Sequence, residues 1–112
     1  ITDFDLPLLL NNLKQAHQPQ AIDKQTRLDL HIDDKIPHRV AADQLKLSQV
    51  LHNLVSNAVK FTEAGKVNIS VELQKQENET LWLKFDIEDT GIGISEDKIE
   101  HIFEKFTQAE SS

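Results

Sequence analysis

The chain contains no cysteine, which excludes disulfide staples, thiolate metal ligands and cysteine redox chemistry, and it carries no sign of an oxidising compartment. It also lacks any long hydrophobic run. The longest apolar stretches are three residues, as at Leu8–Leu10, against the roughly 20 needed to cross a bilayer, and no signal-peptide pattern opens the chain. Positive charge is scarce as well: 12 Lys and Arg face 19 Asp and Glu, leaving a net charge of −7. From Asp86 onward there are eight acidic and two basic residues, a net of −6. Such a distribution argues against a nucleic-acid partner, because binding by counterion release needs Lys and Arg facing the phosphates. A nucleotide ligand would need a metal cation to help neutralise it.

What remains describes one domain. A chain of 112 residues can bury roughly 65% of the surface that its unfolded form exposes. Residues 2–6 suit a short edge strand, after which Asp5 can cap a helix that tolerates Pro7 in its first turn and carries Leu6, Leu9, Leu10 and Leu13 at helical spacing. Pro19 predicts a kink or break near Gln18, since an interior proline costs about 3 kcal/mol. Leu28, Leu30 and Ile32 alternate with polar residues as in a half-buried strand, and residues 33–37 then turn the chain. Asp43 caps a long helix in which Leu47, Val50, Leu51, Leu54, Val55 and Ala58 recur at three- and four-residue steps until Ala64-Gly65. Two further alternating strands, Val67 to Leu73 and Leu81 to Ile87, read as a hairpin linked by Gln76 to Thr80. Ser95 is expected to cap a short helix through about Phe103. The fold class is an α/β (α+β) two-layer sandwich, one mixed sheet with helices on one face, because a sheet covered on both faces would show continuous apolar runs.

Two features carry chemistry. On the long helix Gln49, Asn53, Asn57 and Lys60 fall at steps of four, four and three, forming a polar line beside the apolar stripe. Two amide oxygens and an ammonium so placed suit a hydrated magnesium ion and phosphate oxygens, although a polar helix face taken alone is more often just solvated. The second feature is Asp89-Thr90-Gly91-Ile92-Gly93-Ile94 directly after a strand. Glycines there let the main chain approach a flat ring, and Asp89 can accept from an exocyclic amine such as adenine's. A G-x-G turn is weak evidence by itself. No G-K-[ST] follows it, and the third glycine of a dinucleotide fingerprint is absent.

Together the two features reach a resemblance. Residues 43–62 resemble the asparagine box of sensor histidine kinases, 89–94 their first glycine box, and Ile102-Phe103-Glu104-Lys105-Phe106 their phenylalanine box, in the same order and spacing. The resemblance implies the Bergerat ATP-binding fold, with Mg2+ coordinated by Asn57 and assisted by Asn53. It further implies that Lys60 contacts phosphate, that Phe61 packs by the adenine and that Asp89 binds the adenine amine. Gly91, Gly93 and Ile94 would shape the floor under the ring, and Phe103 and Phe106 would lead into a lid, with Phe106 near the nucleotide. The implied activity is transfer of the ATP γ-phosphoryl group to a histidine on a separate dimerisation domain, with a response-regulator receiver domain as the next partner. By the same resemblance this domain is cytoplasmic, and the parent protein is a homodimer anchored in a bacterial inner membrane.

The departures from the family pattern matter equally. A second glycine-rich box should follow the phenylalanine box, yet the sequence stops at Ser112, so the expectation is a domain lacking its ATP lid and final helix. Nothing resembles the phosphoacceptor motif, and His17, His31, His38, His52 and His101 read as surface or packing residues, His52 standing beside Asn53. The gyrase, mismatch-repair and chaperone ATPases of the same superfamily activate water with a glutamate at the position of Asn53. An asparagine cannot act as general base, which favours phosphoryl transfer to protein. A nucleotide-free binding module is the other alternative, and the retained Asn57, Lys60, Asp89, Gly91 and Gly93 argue against it.

Overall fold

The structure is a computed structural model whose described residues are 2–90 and 95–105, the latter as backbone together with the Phe103 side chain. Six strands form one sheet in the order β1-β3-β6-β5-β4-β2. They are β1 (Thr2–Asp5), β2 (Arg27–Ile32), β3 (Arg39–Ala42), β4 (Lys66–Glu77), β5 (Thr80–Asp89) and β6 (Ser95–Lys105). Two helices, α1 (Leu6–Asp23) and α2 (Gln44–Lys60), pack on it. The β2–β4 pair is parallel and every other pair antiparallel, so the sheet is mixed, as the sequence pattern leads one to expect.

Alternation in the strands decides which face is covered. Val67, Ile69 and Val71 of β4 and Leu81, Leu83, Phe85 and Ile87 of β5 are buried, while their neighbours along each strand are not. Against them lie Leu6, Leu10, Leu13 and Ala21 of α1 and Leu47, Leu51, Val55, Ala58 and Val59 of α2. Burying one such large aliphatic side chain is worth about 1.5–3 kcal/mol. The α2 stripe is rotated slightly from its expected position: Val50 is 38% exposed, and Val59 takes the buried place.

Both helices begin as their sequences dictate. Asp5 accepts a hydrogen bond from the Leu8 N–H at 2.9 Å, and Asp43 accepts one from the Lys46 N–H at 3.0 Å. The turn at 33–37 is held by Asp33, whose Oδ1 accepts from the Lys35 N–H and whose Oδ2 accepts from the Leu73 N–H, both at 3.0 Å. That second bond supports β4 where its register with β5 shifts between Leu73 and Lys75.

Two local expectations fail, and one strand was not anticipated. Pro19 does not break α1, which runs on to Asp23, because Ala21 is fully buried beyond it and Pro19 itself faces solvent. Arg39–Ala42 is a strand that four residues of weak alternation did not reveal, with Val40 and Ala42 buried. Residues 95–105 form β6 and not a helix from Ser95. The backbone pairs with β5 along the whole of β5 and with β3 at Val40 and Ala41. Phe103 is fully buried, its ring 5.9 Å from Phe85 and 6.5 Å from Phe4, so tertiary pairing overrides a local helical preference.

Candidate functional site

The polar line on α2 survives folding. With the apolar stripe seated on the sheet, Gln49, Asn53, Asn57 and Lys60 are all exposed on the helix. Asn53 and Asn57 are one turn apart, which sets their amides side by side. Among the described residues no group of three or more His, Cys, Asp or Glu is placed to hold a metal. Two amide oxygens suit a cation that takes few protein ligands and fills its shell with phosphate oxygens and water, as Mg2+ does. Neutral, hard amide oxygens at the surface fit that demand.

One turn beyond Asn57 the helix ends at Lys60, and Phe61 follows as the C-cap, its N–H bonded to the Asn57 carbonyl at 3.1 Å. The Phe61 ring is 63% exposed, and the Lys60 ammonium lies 5.5 Å from its centroid. An uncovered aromatic face beside a cation is free to meet a flat ligand. A segment from outside the motifs fixes this end. Lys24 Nζ donates to the Lys60 carbonyl at 2.6 Å, the Lys24 carbonyl accepts from the Ala64 N–H at 2.9 Å, and the Gly65 carbonyl accepts from the Arg27 N–H at 3.0 Å. The middle bond holds Ala64 at φ 52°, a left-handed conformation that a non-glycine residue adopts only under constraint.

Asp89 closes β5, opposite Val67 of β4, and is only 7% exposed. A carboxylate this enclosed at a strand end is uncommon without a role. Thr90 then pins the two strand ends together, its N–H donating to the Lys66 carbonyl at 3.0 Å and its Oγ1 accepting from the Lys66 N–H at 3.1 Å. Thr62 is fully buried, its hydroxyl donating to the Ala58 carbonyl at 2.7 Å. A Cβ on Gly65 would meet Thr62 Cγ2 at 2.9 Å and the Thr90 carbonyl oxygen and Oγ1 at 3.3 Å, so only glycine fits between them. Thus the end of α2, with Lys60 and Phe61, and the end of β5, with Asp89, are stitched into one corner of the molecule. Asn57 and Asn53 lie one and two turns back along α2.

Thr62 and Thr90 stand inside the motif segments and could have been singled out. Lys24, and the buried Thr26, whose hydroxyl donates to the Lys24 carbonyl at 3.2 Å, carried no sequence signal for this role. Gly91, Gly93, Ile94 and Phe106, also expected at the site, lie outside the described residues. His31 and His38 are exposed, in line with their reading as surface residues. His17 and His52 fit the packing half of that reading: both are half-buried, with His17 Nε2 and His52 Nδ1 2.9 Å apart across the two helices. Burial, then the neighbouring His52, holds His17 below the ordinary imidazole pKa.

Residues 42–112 match the family described as histidine kinase-, DNA gyrase B-, and HSP90-like ATPase. The chain is 40% identical over 110 residues to the autoinducer 2 sensor kinase/phosphatase LuxQ of Vibrio vulnificus, covering 97% of this chain and 13% of that protein. It is 42% identical over 106 residues to the sensor histidine kinase AruS of Pseudomonas aeruginosa, covering 95% of this chain and 11% of that one. Among solved structures, full-length ShkA in complex with AMPPNP superposes with a TM-score of 0.70 at 30% identity, over 84% of this chain and 19% of ShkA. The chain thus spans only a small part of the relatives that it matches.

Proposed function

From the premise that the chain belongs to the histidine kinase-, DNA gyrase B- and HSP90-like ATPase family, and is similar to sensor histidine kinases, we propose that it binds Mg-ATP and presents the γ-phosphoryl group to a histidine on a separate dimerisation domain. The observation that carries this reading is the corner just described: Asn53, Asn57 and Lys60 are exposed along α2, whose C-terminal end is tied through Thr62, Gly65 and Thr90 to the end of β5, where Asp89 is buried. Asp89 accepts from the adenine amine, Phe61 lies against the ring, Lys60 meets phosphate, and Asn57 with Asn53 holds the metal. Mg2+ supplies neutralisation of the phosphate charge and an in-line orientation. Phosphoryl transfer asks little covalent chemistry of the protein beyond such positioning. The chain has no glutamate at position 53 to activate water, which favours a protein acceptor. A response-regulator receiver domain is the next recipient. We assign the domain to a cytoplasmic part of a membrane-anchored, homodimeric parent.

The test is Asn57→Ala in the complete parent kinase, followed by thermal unfolding and by transfer of labelled phosphate to the dimerisation domain. Alanine is the best helix former and the site is exposed, so the fold should persist. Misplacing a reacting group by about 1 Å costs about 100-fold in rate, and Mg-dependent phosphotransfer should fall at least that far. Normal transfer by a folded variant removes Asn57 from the metal site.

A further inference from the structure

A helix C-terminus leaves four carbonyls without helical partners. In α2 three of them are taken by the chain that follows at once: Asn57 by the Phe61 N–H at 3.1 Å, Ala58 by the Thr62 hydroxyl at 2.7 Å and Val59 by the Thr62 N–H at 3.2 Å. The fourth, on Lys60, accepts from Lys24 Nζ at 2.6 Å, 36 positions away in sequence. This carbonyl belongs to the peptide group that joins Lys60 to Phe61. The backbone of Lys24 is itself anchored on both sides. Its N–H donates to the Ala21 carbonyl at 3.1 Å at the end of α1, and its carbonyl accepts from the Ala64 N–H at 2.9 Å and from the Thr26 hydroxyl at 3.2 Å. The Lys24 side chain is half-buried, and among the described residues no carboxylate pairs with its ammonium.

We infer that Lys24 is a positioning residue for the nucleotide, acting through Lys60 and Phe61. The inference rests on the reading that this corner holds Mg-ATP. A peptide group is planar, so holding its oxygen sets ψ of Lys60 and φ of Phe61 together, and with them the directions in which both side chains leave the helix. In that arrangement the Lys60 ammonium stands 5.5 Å from the centroid of the exposed Phe61 ring. Released from Lys24, the last peptide of α2 turns its oxygen toward water, and the phosphate contact and the ring contact move with it. An ammonium suits the task better than a neutral donor, because the acceptor lies at the negative end of the helix and a charge-assisted bond is the stronger. Lys60 and Phe61 meet ATP in the ground state and the transition state alike. Loosening them therefore removes uniform binding, which raises KM and leaves kcat in place.

The experiment measures histidine phosphorylation by the complete parent kinase against Mg-ATP concentration, in Lys24→Met and Lys24→Arg, with Asn57→Ala alongside. Lys24→Met should raise KM about 10-fold at nearly unchanged kcat, the lower end of what a hydrogen bond to a charged group is worth. Lys24→Arg retains a cationic donor and should restore most of the loss. Unchanged KM in Lys24→Met while Asn57→Ala abolishes transfer overturns the inference and leaves the site reading standing. Normal transfer by Asn57→Ala overturns both. A KM raised alike by Met and Arg, or a lower kcat at unchanged KM, also overturns the inference, since bulk or fold and not the bond is then responsible. A measurement on the parent guards against a variant that fails to fold. Coupling between sites is reciprocal, so Mg-ATP should slow acetylation of the Lys24 amine by an N-hydroxysuccinimide ester, read by mass spectrometry against the exposed Lys35. An unchanged Lys24 rate overturns the inference as well.

Discussion

Asp89→Asn isolates the recognition of the base. The residue ends β5 in register with Val67 and is 7% exposed, so an isosteric amide has no room to turn away and no reason to shift the strand. The change replaces one carboxylate oxygen by an NH2 group and removes the charge. Facing adenine, the side chain either opposes donor to donor or keeps one uncharged acceptor. A charge-assisted hydrogen bond is worth roughly 1.5–3 kcal/mol, which corresponds to about 10- to 150-fold in affinity. Guanine presents an acceptor oxygen where adenine has its amine, so a carboxylate repels it and an amide NH2 does not. ATP binding should therefore weaken about 10- to 150-fold while GTP binding holds or improves. Calorimetry with Mg-ATP and Mg-GTP reads both, on a chain extended through a second glycine-rich segment. Glu88→Gln, one position earlier and alternating to the other face of the sheet, should alter neither. An unchanged ratio of ATP to GTP affinity in Asp89→Asn would mean that Asp89 does not face the base and serves only the strand end.

Three further outcomes follow from other parts of the molecule. A chain extended through a second glycine-rich segment should bind Mg-ATP much more tightly than the 112 residues alone, and equal affinities by titration would show that the added backbone amides contribute little. Pro19→Ala should stabilise the fold by about 1–3 kcal/mol, because α1 continues through an exposed position where proline supplies no N–H, and an unchanged or lower urea midpoint would refute this. The backbone N–H groups of Lys35 and then Leu73 hold the Asp33 carboxyl below the usual carboxylate range. A depressed folded pKa stabilises above the unfolded value of about 3.9 and loses that contribution as pH falls through the folded value. The difference in melting temperature between the parent and Asp33→Ala should therefore be flat from about pH 7 to 5 and close below about pH 4, and a difference that persists at the lowest pH would reject the charge as its source.

Much of this architecture is legible because single segments state it strongly. Asp5 and Asp43 cap their helices as their positions announce, and the alternation of β4 and β5 fixes both the hairpin and the buried face. What escaped depends on distant partners. β3 is four residues long, and Val40 and Ala42 become a strand only because β1 lies on one side and β6 on the other. The 95–105 segment has capping and acidic residues suited to a helix start, but β5 and β3 offer it two ladders and a core position for Phe103. In the candidate site, Asn53, Asn57, Lys60, Phe61 and Asp89 were readable from spacing and resemblance, and Thr62 and Thr90 stood in the same segments, while Lys24, which braces the end of α2, was not readable. Lys24 reaches Lys60 over 36 positions, and no local pattern encodes such a contact. The His17–His52 pair is hidden for the same reason.

The end of α2 shows why those supporting contacts matter to the chemistry. Helix termini favour anions at the N-terminus, and the C-terminus carries about half a negative charge on its free carbonyls. Here the proposed phosphate contact, Lys60, is the last residue of the helix, in a chain whose net charge is −7. Left alone, that end would repel a triphosphate. Lys24 directs its ammonium at the Lys60 carbonyl itself, satisfying one orphan acceptor and offsetting the terminal charge, and the Lys60 ammonium adds a second cation above Phe61. Two lysines still leave much of a triphosphate's charge uncompensated. The amides of Asn53 and Asn57 carry no charge of their own, so the remaining neutralisation falls to the divalent ion, and affinity for ATP at this corner should depend on magnesium more steeply than at a site built on a helix N-terminus.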